Sequence, residues 1–144
     1  MGNLEAVRPT LITLMLLFPG LGAVNAIYHG RLLQEYVRQT RRIKDLAGLT
    51  RFQMTVARQM YAALAQLILL TTPVVLYFFG VLTDHLHLGD IAFVVIPGTL
   101  IFALGYFFKK VEAQACRIPA LGKDLEEQRL AVIKTWKTRP LPNW

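Results

Sequence analysis

Two long uncharged stretches, separated by only eight residues, constrain this chain more than anything else in it. Residues 61–82 read YAALAQLILLTTPVVLYFFGVL and residues 91–108 read IAFVVIPGTLIFALGYFF, with TDHLHLGD between them. Neither stretch contains Asp, Glu, Lys, Arg or His. At about 1.5 Å of rise per residue, each has about the length a helix needs to cross a hydrocarbon core. The loop between them is too short for a domain, so the pair reads as a transmembrane hairpin. A third apolar stretch, residues 9–28, precedes it. The expected fold class is an all-α membrane protein, a single membrane domain over 1–144. Its spans are 9–28, 61–82 and 91–108, and its extensions outside the membrane are 29–60 and 109–144.

The charges are clustered rather than spread. Hydrophobic residues make up 54% of the chain and charged residues 17%. An apolar soluble fold would need charged faces along its helices, which long uncharged runs cannot supply. The net charge is +7. Seven Lys and Arg fall in 29–60 and eight follow 108, whereas 83–90 has none and the N-terminus has only Arg8. The positive-inside rule then sets the N-terminus and 83–90 outside, and 29–60 and the tail in the cytoplasm. The expected location is a bacterial inner membrane, with the basic residues meeting anionic headgroups on the cytoplasmic side. No groove-reading motif accompanies the charge, so no nucleic-acid partner is expected.

The lone Cys116 can form neither an internal disulfide nor a cysteine metal site. It follows a span, where palmitoylation is possible, but a small residue on a helix face is the simpler role. Ala6 stands where a myristoylation signal after Met1-Gly2 would have Ser or Thr. The first stretch carries a tolerable cleavage pattern at Val24-Asn25-Ala26. Glu5 in its leading segment opposes a signal peptide, and a retained helix is expected.

In the first span, Pro9 suits a first helical turn, and Pro19-Gly20 should kink the helix. Gly22 and Ala26 form a small-xxx-small pair that lets another helix approach closely, and Asn25 is placed to hydrogen-bond across that interface. Residues 29–60 read as a helical hairpin with one stripe at Leu33, Tyr36, Thr40, Ile43 and Ala47. The expected turn is Ala47–Leu49, with Gly48 ending one helix, Thr50 capping the next and Gln53 reaching back. The second span holds Gln66 near its cytoplasmic end and Thr71-Thr72-Pro73; the third holds Pro97-Gly98. All three spans are thus interrupted near their middles, the pattern of a midplane site built from broken helices, although Pro and Gly are frequent in membrane helices anyway.

The helix after Phe108 should run to Pro119. Asp124 and Glu127 have capping spacing for a C-terminal amphipathic helix whose apolar face is Leu121, Leu125, Val132 and Trp136. The tail RPLPNW cannot be helical. Trp136, Arg139, Pro140, Pro142 and Trp144 are the residues expected to dock on a partner subunit, because a solvated tail rarely keeps two indoles.

Catalytic chemistry is sparse. Asp84, His85, His87 and Asp90 in the outer loop come closest to a metal set, but their spacing is loose and Asp90 also suits the N-cap of the third span. We expect no metal there. The spans have no titratable group for a proton relay and no paired His for haem. No nucleophile–base pair or phosphate loop stands out. The expected function is a non-catalytic structural or accessory subunit of a larger integral membrane complex. It would pack through Gly22, Ala26, Asn25 and Gln66 and through its tail, against other membrane subunits, with bound lipid as the only cofactor-like molecule in view. The alternatives are a homo-oligomeric pore or carrier and a membrane-embedded metal-dependent enzyme using the outer loop.

Overall fold

The computed structural model describes the backbone of Gly2–Trp144 and the side chains from Val7 onward. It is all-helical among the described residues: α1 (Gly2–Gln39), α2 (Leu46–Leu82), α3 (Ala92–Ala115) and α4 (Lys123–Thr138), with a 3-10 turn, Leu88–Ile91, leading into α3. The first three are long and apolar enough to cross a membrane. Backbone hydrogen bonds must be satisfied internally in hydrocarbon, and a continuous helix does so. The helices accordingly run on through Pro19, Pro73 and Pro97. Thr71 and Thr72 donate to the carbonyls of Leu67 and Ile68, at 2.8 Å each. α1 begins at Gly2, so Pro9 lies inside it rather than in its first turn.

The chain divides into two compact units, Met1–Ala26 with Ala65–Gly105, and Ile27–Leu64 with Tyr106–Trp144. The first holds most of each span. Leu11, Met15, Tyr77 and Leu86 form its buried cluster, while Leu67, Val75, Phe78, Phe79, Ile96 and Phe102 are exposed. That is the expected balance for helices solvated by lipid, where burying apolar side chains gives little drive for association and shape and hydrogen bonds decide it.

The second unit has the larger buried core. Ile43, Leu49, Phe52, Val56, Met60, Ile118, Val132 and Ile133 make one buried cluster. Each such side chain contributes about 1.5–3 kcal/mol by leaving water. Leu33, Val111 and Ala115 make a second cluster, with Phe108 and Trp136 against it. At Gly30 the Phe108 ring comes so close that a Cβ would stand 2.5 Å from Cδ1, so glycine is needed there.

The local boundaries differ from the sequence expectation in ways the hydrogen bonds explain. α1 ends at Gln39 and the turn is 40–45, not Ala47–Leu49. Asp45 accepts the Gly48 N–H at 2.7 Å and so caps α2 well before Thr50, whose hydroxyl bonds back to the Leu46 carbonyl. Gly48 and Ala47 therefore lie in the first turn of α2. Ile43 leaves the predicted helical stripe and forms a parallel bridge with Ala120. Its N–H reaches the Pro119 carbonyl at 2.9 Å and its carbonyl accepts the Leu121 N–H at 2.8 Å. α3 stops at Ala115, four residues before Pro119.

α4 starts at Lys123 after Gly122, whose φ of 87° favours glycine, and no side chain caps it. The expected cap at Asp124 with Glu127 does not form. Glu126 instead accepts the N–H of Ala120, which lies ahead of the helix, at 2.9 Å. The inward face of α4 is Arg129, Val132 and Ile133, flanked by Leu125 and Trp136, while Leu121 is exposed. That face meets the second unit's own core, which leaves Trp136 no need of a lipid interface to cover it.

Candidate functional site

In the first unit the structure brings Gly22, Asn25 and Gln66 together. Asn25 Nδ2 donates to Gln66 Oε1 at 3.1 Å. A Cβ at Gly22 would stand 2.8 Å from Gln66 Nε2 and 3.4 Å from Ile101 Cδ1. The slim face of α1 is therefore filled from within the same chain, by a side chain of α2 and one of α3. Ala26 sits one turn on, half-buried. The Gln66 Nε2 is buried and meets no acceptor. An amide in hydrocarbon is held where it finds a partner, and the Asn25–Gln66 pair supplies one between α1 and α2.

The loop 83–90 is organised by an ion pair that sequence reasoning did not find. Arg8 Nη2 donates to Asp90 Oδ1 at 2.9 Å and Nε to Oδ2 at 3.3 Å. Asp90 Oδ2 also accepts the His87 N–H at 2.9 Å. Asp90 is thus buried in the 3-10 turn, with both carboxylate oxygens engaged, rather than capping α3. A lone Arg ahead of an apolar stretch and a lone Asp ahead of another gave a signal, since each needs a counter-charge near the membrane. Asp84, at φ 57°, and His87 are exposed and His85 is half-buried. Among the described residues no three His, Cys, Asp or Glu converge in a way that could hold a metal ion.

The expected interruptions do not form, since each helix is continuous through its proline, but these Pro and Gly positions do meet. Pro19, Leu70, Pro73, Val94 and Gly98 are among the residues lining a cavity of about 280 Å³ in the first unit. Its wall is apolar, because the Thr99 hydroxyl is turned onto the Val95 carbonyl of its own helix. The cavity offers a ligand shape and apolar contact, with no donor and no titratable group.

In the second unit the polar centre is Arg129, the one buried cation among the described residues. Its Nε donates to Glu126 Oε2 at 3.0 Å, its Nη2 bonds Glu126 Oε1, and its Nη1 donates to the Cys116 carbonyl at 2.9 Å. The guanidinium and the Ala120 N–H hold the Glu126 carboxyl below the usual glutamate range. Burial pushes the Cys116 thiol up, so it is a poor nucleophile. Sequence reasoning missed this centre, although an Arg between Leu125 and Val132 on an apolar face, three residues after a Glu, marks a buried pair. Across α1 and α2, Gln59 Nε2 donates to the His29 carbonyl at 2.8 Å.

The tail leaves α4 in extended backbone at Arg139. Trp136 lies against both clusters of the second unit. Arg139, Pro140 and Trp144 are exposed and Pro142 half-buried. The two indoles therefore have different environments.

Comparison with known protein families, with curated proteins and with solved structures finds no match. The functional reading accordingly rests on geometry and charge alone.

Proposed function

We propose that this chain is a non-catalytic accessory subunit of a larger integral membrane complex, in a bacterial inner membrane, with its N-terminus outside and its C-terminus in the cytoplasm. One observation carries the reading. Apart from the Gln66 Nε2, polar side chains inside the spans are engaged within the chain: Asn25 with Gln66 Oε1, and Thr71, Thr72 and Thr99 with their own helices. Little remains in the spans for moving an ion or transforming a substrate. What remains is apolar flank for lipid or neighbouring helices, and a strongly basic unit outside the spans.

The orientation follows from charge. The second unit carries fifteen of the sixteen Lys and Arg residues and six of the nine acidic ones. Arg31, Arg58, Lys109 and Lys110 lie at the ends of the spans, where they meet anionic headgroups. The tail from Arg139 to Trp144 serves as the partner contact, its exposed indole covered by a neighbouring subunit.

A homo-oligomeric pore would need a polar path, for which Asn25, Gln66, Thr71 and Thr72 are the candidates. A metal enzyme at the outer loop would need Asp90, whose carboxylate already carries Arg8. Extraction of the tagged chain in mild detergent, followed by sizing and mass spectrometry, separates the readings. The accessory-subunit reading expects other membrane chains at fixed stoichiometry. Recovery of a monomer or a symmetric homo-oligomer alone would overturn it.

A further inference from the structure

The bridge between Ile43 and Ala120 does more than close a core. It joins the loop 40–45 to the segment 116–122, making one end of the second unit. Along such a bridge side chains alternate in direction. Ile43 turns inward at 1% exposure, while Arg42, Lys44, Pro119 and Leu121 are exposed. Arg41 and Arg117 are exposed in the same two segments, and Lys123 is exposed at the start of α4 directly after the second. Five cations are thus gathered at one end, and among the described residues none of them forms an ion pair. The acidic groups nearby are Asp45, which caps α2, the exposed Asp124 and Glu127, and Glu126, which Arg129 holds. Two large apolar side chains stand among the cations, Leu46 at 66% exposure and Leu121 at 52%.

Headgroups do not account for this end. Gln39 lies eleven residues past Tyr28 in α1, and Leu46 lies fifteen before Tyr61 in α2. At about 1.5 Å per residue, the helices carry the loop roughly 16–22 Å beyond Tyr28 and Tyr61, where the apolar stretches of the sequence end. The headgroup layer is only about 5–8 Å deep on each side, and exposed charges are screened beyond about 8 Å at physiological salt. Nucleic acid fits less well than protein. The rings of this end, Tyr36 and Phe52, lie against the core, so no base can stack on them.

We propose that the end built from 40–45 and 116–122 docks an acidic segment of a partner protein, its carboxylates on Arg41, Arg42, Lys44, Arg117 and Lys123 and its apolar side chains on Leu46 and Leu121. This names the chemistry of one partner and rests on the accessory-subunit reading.

The test uses the full chain in nanodiscs of neutral phosphatidylcholine and a fluorescent synthetic peptide of Glu and Leu, read by anisotropy. Saturable binding is expected. Arg41→Ala, Arg42→Ala and Lys44→Ala together should weaken it roughly tenfold, at about 0.5 kcal/mol for each exposed pair. Leu121→Ser should weaken it further, and Lys134→Ala with Lys137→Ala should leave it unchanged. All these positions are exposed, so the fold is retained, and circular dichroism checks it. Equal weakening by the Lys134 and Lys137 changes would overturn the proposal, as would equal affinity for a peptide with Gln in place of Glu. Tighter binding of a single-stranded RNA through the same residues would also overturn it. Co-purifying subunits without peptide binding would remove this inference and leave the accessory role standing. Peptide binding without co-purifying subunits would do the reverse.

Discussion

Gly22 on α1 has no side chain where the Gln66 carboxamide of α2 lies, and a Cβ there would approach Nε2 to 2.8 Å. Gly22→Leu must displace both Gln66 and Ile101, and overpacking of this kind costs about 1–3 kcal/mol. Val24, at 66% exposure, gives the control. Val24→Leu should change stability by less than about 0.5 kcal/mol. Unfolding of the two variants in detergent with a titrated denaturant compares them. Equal midpoints would show that the slot beside Gly22 adapts freely.

Breaking the Arg129 centre should destabilise the second unit. Arg129→Ala removes the donors to Cys116 and Glu126 together with a buried stem, and about 2–4 kcal/mol is expected. The same centre sets an acid limit. The Glu126 carboxyl is held below its ordinary range in the folded chain. A depressed carboxyl contributes stability that is present above its unfolded pKa of about 4.3 and is lost as pH falls through the folded value. Glu126→Gln should therefore be less stable than the parent at neutral pH, with the difference shrinking below about pH 4. A constant difference from pH 7 down to pH 3 would count against the pairing.

Topology is open to labelling. Thr83 and Gln128 are both exposed, whereas Cys116 is half-buried with a raised pKa and would label poorly on either side. In a Cys116→Ala background, Thr83→Cys should react with an impermeant maleimide added outside intact cells. Gln128→Cys should react only after lysis. The opposite pattern would invert the proposed orientation.

The tail separates anchoring from docking. A chain ending at Thr138 keeps Trp136 against its two clusters, so its thermal stability should match the full chain within a degree or two. It should still insert, and it should lose its partner subunits on extraction. Recovery of the truncated chain with an unchanged set of partners would return the tail to a lipid role.

The spans were legible because hydrocarbon imposes one demand on every residue of a long run. Residues 61–82 and 91–108 met it by containing no charge. The meeting of Asn25 and Gln66 was half legible, since each is a lone amide in an apolar run and needs a partner. Local caps were less so. Thr50 with Gln53 and Asp124 with Glu127 both had the spacing of a capping box, and neither pair caps a helix. Asp45 caps α2 and α4 starts at Gly122 with no side-chain cap, both set by Ile43 reaching Pro119 and Leu121 over a long sequence separation. No local window contains that information. The pairing of Arg8 with Asp90, eighty-two residues apart, was hidden for the same reason.

The Ile43–Ala120 bridge also sets a schedule. Its two residues are seventy-seven positions apart in the chain. At about 5–20 residues per second, the ribosome makes the second roughly 4–15 s after the first. During that interval Phe52 and Val56 have been synthesised, while Ile118, Val132 and Ile133, which complete their cluster, have not. Newborn chains therefore pass through a stage with two apolar helices made and the face of Phe52 and Val56 still uncovered by its later partners. An insertion factor or chaperone that shields such a face would act in that interval, and mutations that slow synthesis between 60 and 118 would lengthen it.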